Sequence, residues 1–328
     1  MCAERISVVV PAYNNAPWME RSLDSLLAQT YQNLEIIAVN DGSTDDTGKV
    51  LEEYAGKYEW IRVFHKENGG VTSARLLGAA QATGDWIGFM DGDDWVEPQM
   101  YERLLENACR YGADISHCGH QVVFDDGRIS YVHNSRKLRQ QDHKTGLGDL
   151  LDGREVDASL CTKLFRKKLF SGLADWMDPA IKNNEDLLMN YYLFSRAEKA
   201  VFEDVCPYHY ILRQGSASHR QFNEHSLFDP IRVRQMILQR CSPEMREEAR
   251  SSLLRYMLFV YAQTVTHLER QYDDYRKRAR ELLLEQREYF SLLSKRNRLL
   301  ANMICMAPWS FRLAYGLYVA LFQREEQH

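Results

Sequence analysis

The run Trp86-Ile87-Gly88-Phe89-Met90 leads straight into Asp91-Gly92-Asp93-Asp94-Trp95. A buried strand ending in closely spaced carboxylates gathers negative charge at a sheet's carboxyl edge, where the charges repel one another and resist desolvation. A hard divalent cation relieves both costs, prefers oxygen ligands and commonly bridges to phosphate. Gly92 lets backbone or ligand approach between the flanking aspartates. The pattern supports two readings: a Mg²⁺ or Mn²⁺ site for a diphosphate, or an acidic turn capping the helix after Pro98.

Other chemistry-bearing residues stand at comparable places. Pro11-Ala12-Tyr13-Asn14 follows an apolar run, and a rigid loop ending in an aromatic can stack on a flat base. Asp41 follows a second run, where a carboxylate can accept from a base N–H; helix capping is the alternative, although Asp45 or Ser43 could cap more directly. Arg75 falls in the first turns of a predicted helix, unfavourable for the dipole but suited to phosphate or to the aspartates. A structural ion pair is the competing reading for Arg75.

The elements that must position these groups follow from alternation. Apolar β-rich runs at 6–10, 34–39, 61–65, 86–90 and 114–118 alternate with helical patterns, one opened by Pro17 and others reaching about Lys57, spanning 72–82 and spanning 99–111. That interval predicts βαβ units and a mostly parallel sheet flanked by helices, with ligands collecting outside the strands' carboxyl ends. His117, Cys118 and His120 could suggest a zinc fragment, but no second ligand pair is near, and they read as strand residues.

The chain has 328 residues, enough for one large domain plus an appendage. A net charge of −5 offers no basic field for nucleic acid. Seven scattered cysteines without a C-x-x-C pair predict reduced thiols of a cytoplasmic protein, and no signal peptide fits before the first strand. From about Asn223 the pattern turns helical, over 245–269, 272–293 and 298–322. The apolar stretch from Met303 to Phe322 follows the basic cluster Lys295-Arg296-Asn297-Arg298, and interruptions disfavour a spanning helix. It predicts either an interfacial helix on the inner face of a membrane or a helix packed on the preceding domain or on a second copy in a homodimer.

Four motifs carry a resemblance: Val8-Val9-Val10-Pro11-Ala12-Tyr13-Asn14, Asn40-Asp41-Gly42-Ser43-Thr44-Asp45, Asn68-Gly69-Gly70-Val71-Thr72-Ser73-Ala74-Arg75 and Phe89-Met90-Asp91-Gly92-Asp93-Asp94-Trp95. In this order the chain resembles the family 2 glycosyltransferases. The resemblance implies a GT-A fold, a nucleotide-sugar donor and inversion at the anomeric carbon. It implies that Pro11, Tyr13 and Asp41 hold the base, usually uracil, with Ala12, Asn14 and Gly70 also among the residues that bind the nucleotide-sugar. Asp91 would face the ribose and sugar side, with Gly92 also in the nucleotide-sugar site, Asp93 with Asp91 would ligate Mn²⁺ or Mg²⁺, and Arg75 would sit near the pyrophosphate or brace the acidic motif.

An inverting transfer needs one base to take the acceptor hydroxyl's proton and no covalent intermediate. The resemblance extends to Glu185-Asp186, implying Asp186 as that base with Glu185 beside it; capping of the helix they begin is the alternative. Repulsion within the pair would keep one pKa high. The segment from Cys161 to Arg166 resembles an acceptor-side segment, with Lys163 as a candidate contact. Residues 208–219 resemble a closing loop in which Arg213, Ser216 and Ser218 would touch the diphosphate. The division expected is a catalytic domain over 1–222, with the donor on 1–100 and the acceptor and base on 101–222, followed by a helical region over 223–328. The function expected is hexosyl or N-acetylhexosaminyl transfer from a UDP-sugar to a glycan or lipid-linked glycan of a bacterial surface polysaccharide. A sugar-1-phosphate nucleotidyltransferase would need a glycine-rich loop and lysine after the first strand, which Pro11-Ala12-Tyr13-Asn14-Asn15 lacks; a non-catalytic nucleotide-sugar-binding scaffold would bind donor without turnover, with Glu185-Asp186 far from the acidic motif instead of across a shared cleft.

Overall fold

The apolar runs of the first half become the middle of one sheet. In the computed structural model, which describes residues 4–131, 134–154, 156–212, 222–265 and 270–322, β1 (Ile6–Ala12) and β2 (Leu34–Asp41) are buried at every position. Strands covered on both faces require such uninterrupted runs. β3 (Ile61–Lys66) and β4 (Trp86–Phe89) complete a parallel set in the order β3-β2-β1-β4. The connections are α1 (Ala16–Leu27), with Pro17 in its first turn, α2 (Thr47–Lys57) and α3 (Val71–Gln81). α3 lies so close to β1 that a Cβ on Gly78 would stand 2.3 Å from Val9 Cγ1.

Past β4 the sheet becomes mixed. β5 (Trp95–Val96), α4 (Met100–Tyr111), β6 (Ile115–Phe124), β7 (Ile129–Tyr131), β8 (Leu138–Asp142) and α5 (His143–Asp152) come next. β9 (Lys163–Arg166), α6 (Glu185–Arg196) and the long β10 (Lys199–Leu212) follow. The order continues β4-β9-β6-β10-β5, with β7 on β6 and β8 on β10. β6 and β10 are parallel, while β9 is antiparallel to β4 and β6, so the expected parallel character holds for β3-β2-β1-β4 and gives way beyond it. The short antiparallel strands were too brief to leave a period of their own. β2 and β4 leave β1 in opposite lateral directions, so the crevice at their carboxyl ends is a topological switch point.

The chain divides into two compact units, Met1–Gln221 and Phe222–His328. In the second unit α7 (Glu224–Arg240) opens with a reciprocal cap between Asn223 and Ser226, and α8 (Arg246–Val265) and α9 (Arg270–Glu285) follow. The apolar pattern expected as one helix over 298–322 is two, α10 (Lys295–Met306) and α11 (Pro308–Phe322). Pro308 lacks the N–H to continue the ladder, and Arg280 donates to the carbonyls of Ile304 at 3.0 Å and Cys305 at 2.6 Å. These helices enclose their own core, including Phe228, Leu254, Met257, Tyr261, Leu283 and Ile304. No described helix is long and apolar enough to cross a membrane.

Candidate functional site

The carboxyl ends of the parallel strands carry the loops on which most of the expected donor-side residues stand. Pro11 and Ala12 end β1 and are buried; Tyr13, just beyond, is 49% exposed. Asn14 adopts a left-handed φ of 54° and ties this loop to the one after β2. Its N–H donates to Ser43 Oγ at 3.1 Å, and its Oδ1 accepts from the Thr44 N–H at 2.9 Å. Asp41 is buried, and its carboxylate accepts from the Gly69 N–H at 3.0 Å, the Gly70 N–H at 2.8 Å and Lys66 Nζ. Asp41 therefore shapes the loop leading into α3, with Gly70 held at its N-terminus by a φ of 85°.

Arg75 is the hub. Its guanidinium is 4% exposed. Nη2 donates to Asp91 Oδ1 at 3.0 Å, Nη1 donates to Asp186 Oδ1, and Glu185 Oε1 is 3.7 Å from Nη1. Burial alone would lower the Arg75 pKa, but Asp186 and Asp91 outweigh it and drive it well above the ordinary value. Of its two expected positions, by pyrophosphate or bracing the aspartates, the geometry fits the brace. Burial raises the pKa of both α6 carboxyls; Glu185, with Asp186 against it and Arg75 only partly compensating, is pushed up to about 7. The Asp186 side chain is one quarter exposed, its Oδ2 without a partner among the described residues.

These groups face one cavity of about 690 Å³, lined by Arg75, Asp91, Asp93, Asp94, Glu185 and Asp186, and by residues of β6, β10 and the segment around Asp157. That volume falls in the ordinary range of small-molecule sites. Asp94 turns inward: its carboxylate accepts from Tyr208 Oη at 2.6 Å and the Ile211 N–H at 2.9 Å. Burial, then the charges of Asp91 and Asp93, push its pKa well up. Among the described residues no group of three or more His, Cys, Asp or Glu is arranged to hold a metal ion. The hard oxygens of Asp91 and Asp93 suit Mg²⁺ or Mn²⁺, but Asp91 is already paired with Arg75, so the residues fit a cation completed by substrate oxygens and water, not a closed protein cage.

One expectation needs correction. Lys163 is 1% exposed and its Nζ is committed inside the protein, donating to the carbonyls of Asp157 at 3.1 Å and Ser159 at 2.5 Å, and to Asp157 Oδ1 at 3.2 Å. A buried ammonium must be paired in this way. Of the two approaches expected at Gly92, backbone or ligand, the structure has the protein's own: a Cβ there would meet Met19 Cε at 2.7 Å and the Pro11 carbonyl at 3.3 Å. Arg213, Ser216 and Ser218 lie outside the described residues.

The description "Glycosyl transferase family 2" belongs to the family whose sequence model matches residues 7–173. The chain belongs to glycosyltransferase family 2. It is 37% identical over 209 residues to the uncharacterized glycosyltransferase EpsJ of Bacillus subtilis (strain 168), covering 62% of this chain and 60% of that protein. It is 31% identical over 230 residues to the glycosyltransferase GlyG of Streptococcus pneumoniae serotype 4, covering 67% of this chain and 75% of that protein. The chain thus spans well under two thirds of EpsJ, though three quarters of GlyG. The crystal structure of S. aureus TarS 1-349 in complex with UDP-GlcNAc superposes with a TM-score of 0.76 at 19% identity, over 99% of this chain and 93% of that one. That likeness gives this family 2 chain the GT-A fold, α/β with a helical C-terminal region.

Cavity-lining residues for which the sequence signals no site role are His120, Asp157, Ser159 and Lys182. Asp157 and Ser159 lie in a short irregular segment with no periodicity to mark it. His120 was legible only as a strand residue, because nothing local announces its partner 37 positions away.

Proposed function

We propose that the chain is an inverting glycosyltransferase moving a hexosyl or N-acetylhexosaminyl group from a UDP-sugar to a hydroxyl of a glycan or lipid-linked glycan in bacterial surface polysaccharide assembly. The observation that carries the reading is one guanidinium, Arg75, bridging the Asp91 turn to the Asp186 helix over a shared cavity. A scaffold that only bound donor would need no such joining of base and acidic turn.

The base would stack on Tyr13, with Pro11, Ala12 and Asn14 as its platform. Asp41 uses three of about four carboxylate lone-pair sites, leaving one for a base N–H. Asp93, with Asp91 beside it, would hold Mn²⁺ or Mg²⁺, which supplies charge neutralisation for a departing diphosphate. Asp186 would take the acceptor hydroxyl's proton through Oδ2 as that oxygen attacks the far face of the anomeric carbon. Glu185 helps keep the pair basic enough to accept a proton. Arg213, Ser216 and Ser218 would close on the diphosphate. The UDP-GlcNAc complex of S. aureus TarS, which shares the fold, supports a UDP-sugar donor.

The unit Met1–Gln221 would carry the catalysis and Phe222–His328 the attachment. From Lys295 to Phe322 there are four basic residues and no acidic one. Leu299, Met306, Trp309 and Leu313 are each more than 60% exposed. Such a face suits the anionic inner surface of a membrane.

The experiment is nucleotide binding and hydrolysis with a panel of nucleotide sugars, with and without Mn²⁺. Asp186→Asn should lower turnover about 10²–10⁴-fold with UDP affinity unchanged. Asp93→Asn should weaken Mn²⁺-dependent UDP binding. Loss of binding rather than turnover in Asp186→Asn, or unchanged UDP affinity in Asp93→Asn, would contradict the assignments.

A further inference from the structure

His120, Asp157 and Ser159 line the same cavity as the Arg75 hub, yet the proposed donor binding and proton removal use none of them. His120 stands on β6 where the pairing with β10 shifts register, Cys118 facing Glu203 and His120 facing Tyr208. Its Nδ1 is 2.8 Å from Asp157 Oδ2. Asp157 is itself pinned, Oδ1 accepting from the Ser159 N–H at 2.9 Å, Lys163 Nζ at 3.2 Å and Thr162 Oγ1 at 3.4 Å. Burial would raise the Asp157 pKa, but Lys163 and His120 overcome it and hold the carboxyl well below the usual range.

An ionised carboxylate on Nδ1 puts the proton of a neutral imidazole there and leaves Nε2 a bare acceptor. Nε2 has no partner among the described residues. His117 on the same strand makes the contrast. It is fully buried against Gln141, and burial pushes its pKa down to about 3, the behaviour of a packing residue. The His120 side chain is 19% exposed and opens on the cavity.

A second connection fixes the imidazole relative to Asp186. Asn190, buried in α6, donates through Nδ2 to the Ala158 carbonyl at 2.7 Å and the Asp186 carbonyl at 3.0 Å. The segment that orients His120 and the helix that carries Asp186 are therefore one frame.

We propose that His120, oriented by Asp157, recognises the acceptor: Nε2 accepts a hydrogen bond from a hydroxyl of a neutral polyhydroxylated acceptor, beside the hydroxyl that Asp186 deprotonates. The inference rests on the glycosyltransferase reading. His120 takes no proton in the step. The acceptor O–H breaks toward Asp186, its oxygen bonds to the anomeric carbon, and the bond from that carbon to the diphosphate breaks. An anionic acceptor is disfavoured because Asp91, Asp93, Asp157, Glu185 and Asp186 crowd the same walls. A deoxy analogue would leave Nε2 desolvated and unpaired, which is how such a contact discriminates.

The test uses the full chain labelled with ¹⁵N-histidine, UDP, and methyl glycosides of glucose, galactose, mannose and N-acetylglucosamine. The His120 ring signals, assigned by their loss in His120→Gln, should report an Nδ1–H tautomer whose Nε2 resonance moves when at least one glycoside is added with UDP. Saturation-transfer measurements should find that glycoside about tenfold weaker on His120→Ala, UDP affinity within about twofold, and most binding restored in His120→Gln. The deoxy glycoside lacking the contacted hydroxyl should lose affinity for the native chain but not for His120→Ala. An Nε2–H tautomer, no shift with any glycoside, or equal loss of UDP and glycoside in His120→Ala overturns the proposal. Failure of the native chain to bind UDP would instead strike the glycosyltransferase reading, because the glycoside shift is read without turnover.

Discussion

Arg75 satisfies three carboxylates from two segments far apart in sequence, and its own burial is tolerable only because they are there. The same crowding leaves Glu185 short of neutralisation, with its pKa raised from 4.5 to about 7. The sign of the consequence is definite. A native state that holds this proton more tightly than the unfolded chain is favoured at low pH, and the contribution is lost as pH rises from about 4.5 to about 7. Glu185→Gln should therefore stabilise the protein at pH 8 by roughly 1–3 kcal/mol relative to its effect at pH 4. Thermal unfolding at both pH values checks this, and a variant less stable at pH 8 would count against the raised pKa. Asp186→Asn, judged by turnover against UDP affinity, belongs to the same scale, since it alters one proton acceptor and one of the charges paired with Arg75.

At the scale of elements, the site depends on how closely α3 approaches β1, because α3 carries Arg75. Gly78 is the contact, and the missing Cβ is what permits it. Gly78→Ala forces Val9 or the helix aside, an overpacking that should cost about 1–3 kcal/mol in urea unfolding and lower turnover as Arg75 shifts from Asp91. Unchanged stability would mean that the helix has room the geometry does not show. Much of this architecture was legible. Ile6 to Val10 and Leu34 to Val39 announced buried parallel strands, and Pro17 announced a helix start. The break at Pro308 was marked by a proline yet read through, because the apolar spacing continues across it into α11. The positions of the four loop motifs were legible because each includes a short loop after a strand. Lys163 was not, since nothing in Cys161 to Arg166 says which way the lysine turns.

Across the whole molecule, charge is unevenly distributed: the net is −5, yet residues 295–322 hold no acidic side chain. Arg298 is committed to the carbonyls of Phe290, Ser291 and Leu293, leaving Lys295, Arg296 and Arg312 among the exposed cations of that stretch. With the exposed Trp309 and Leu313 they predict binding to vesicles containing phosphatidylglycerol, several-fold weaker in Trp309→Ser/Leu313→Ser and weakened by salt. Co-sedimentation is the measurement, and equal binding of both proteins to neutral vesicles would refute the surface.

What the sequence determined by itself is whatever local spacing encodes: β1 to β4, β6 and most helices, the order of four loop motifs, and their gathering at one sheet edge. Burial period and turn chemistry act over a few residues, so they can be read from a few residues. The tertiary structure alone decided that Arg75 braces Asp91 to Asp186, that Lys163 faces inward, and that Asp157 orients His120. The first and third join polar groups on segments distant along the chain, and such a match has no local signature because its energy appears only once folding has removed the water between the partners; Lys163 meets Asp157 only six residues away, but across an irregular segment that no period announces.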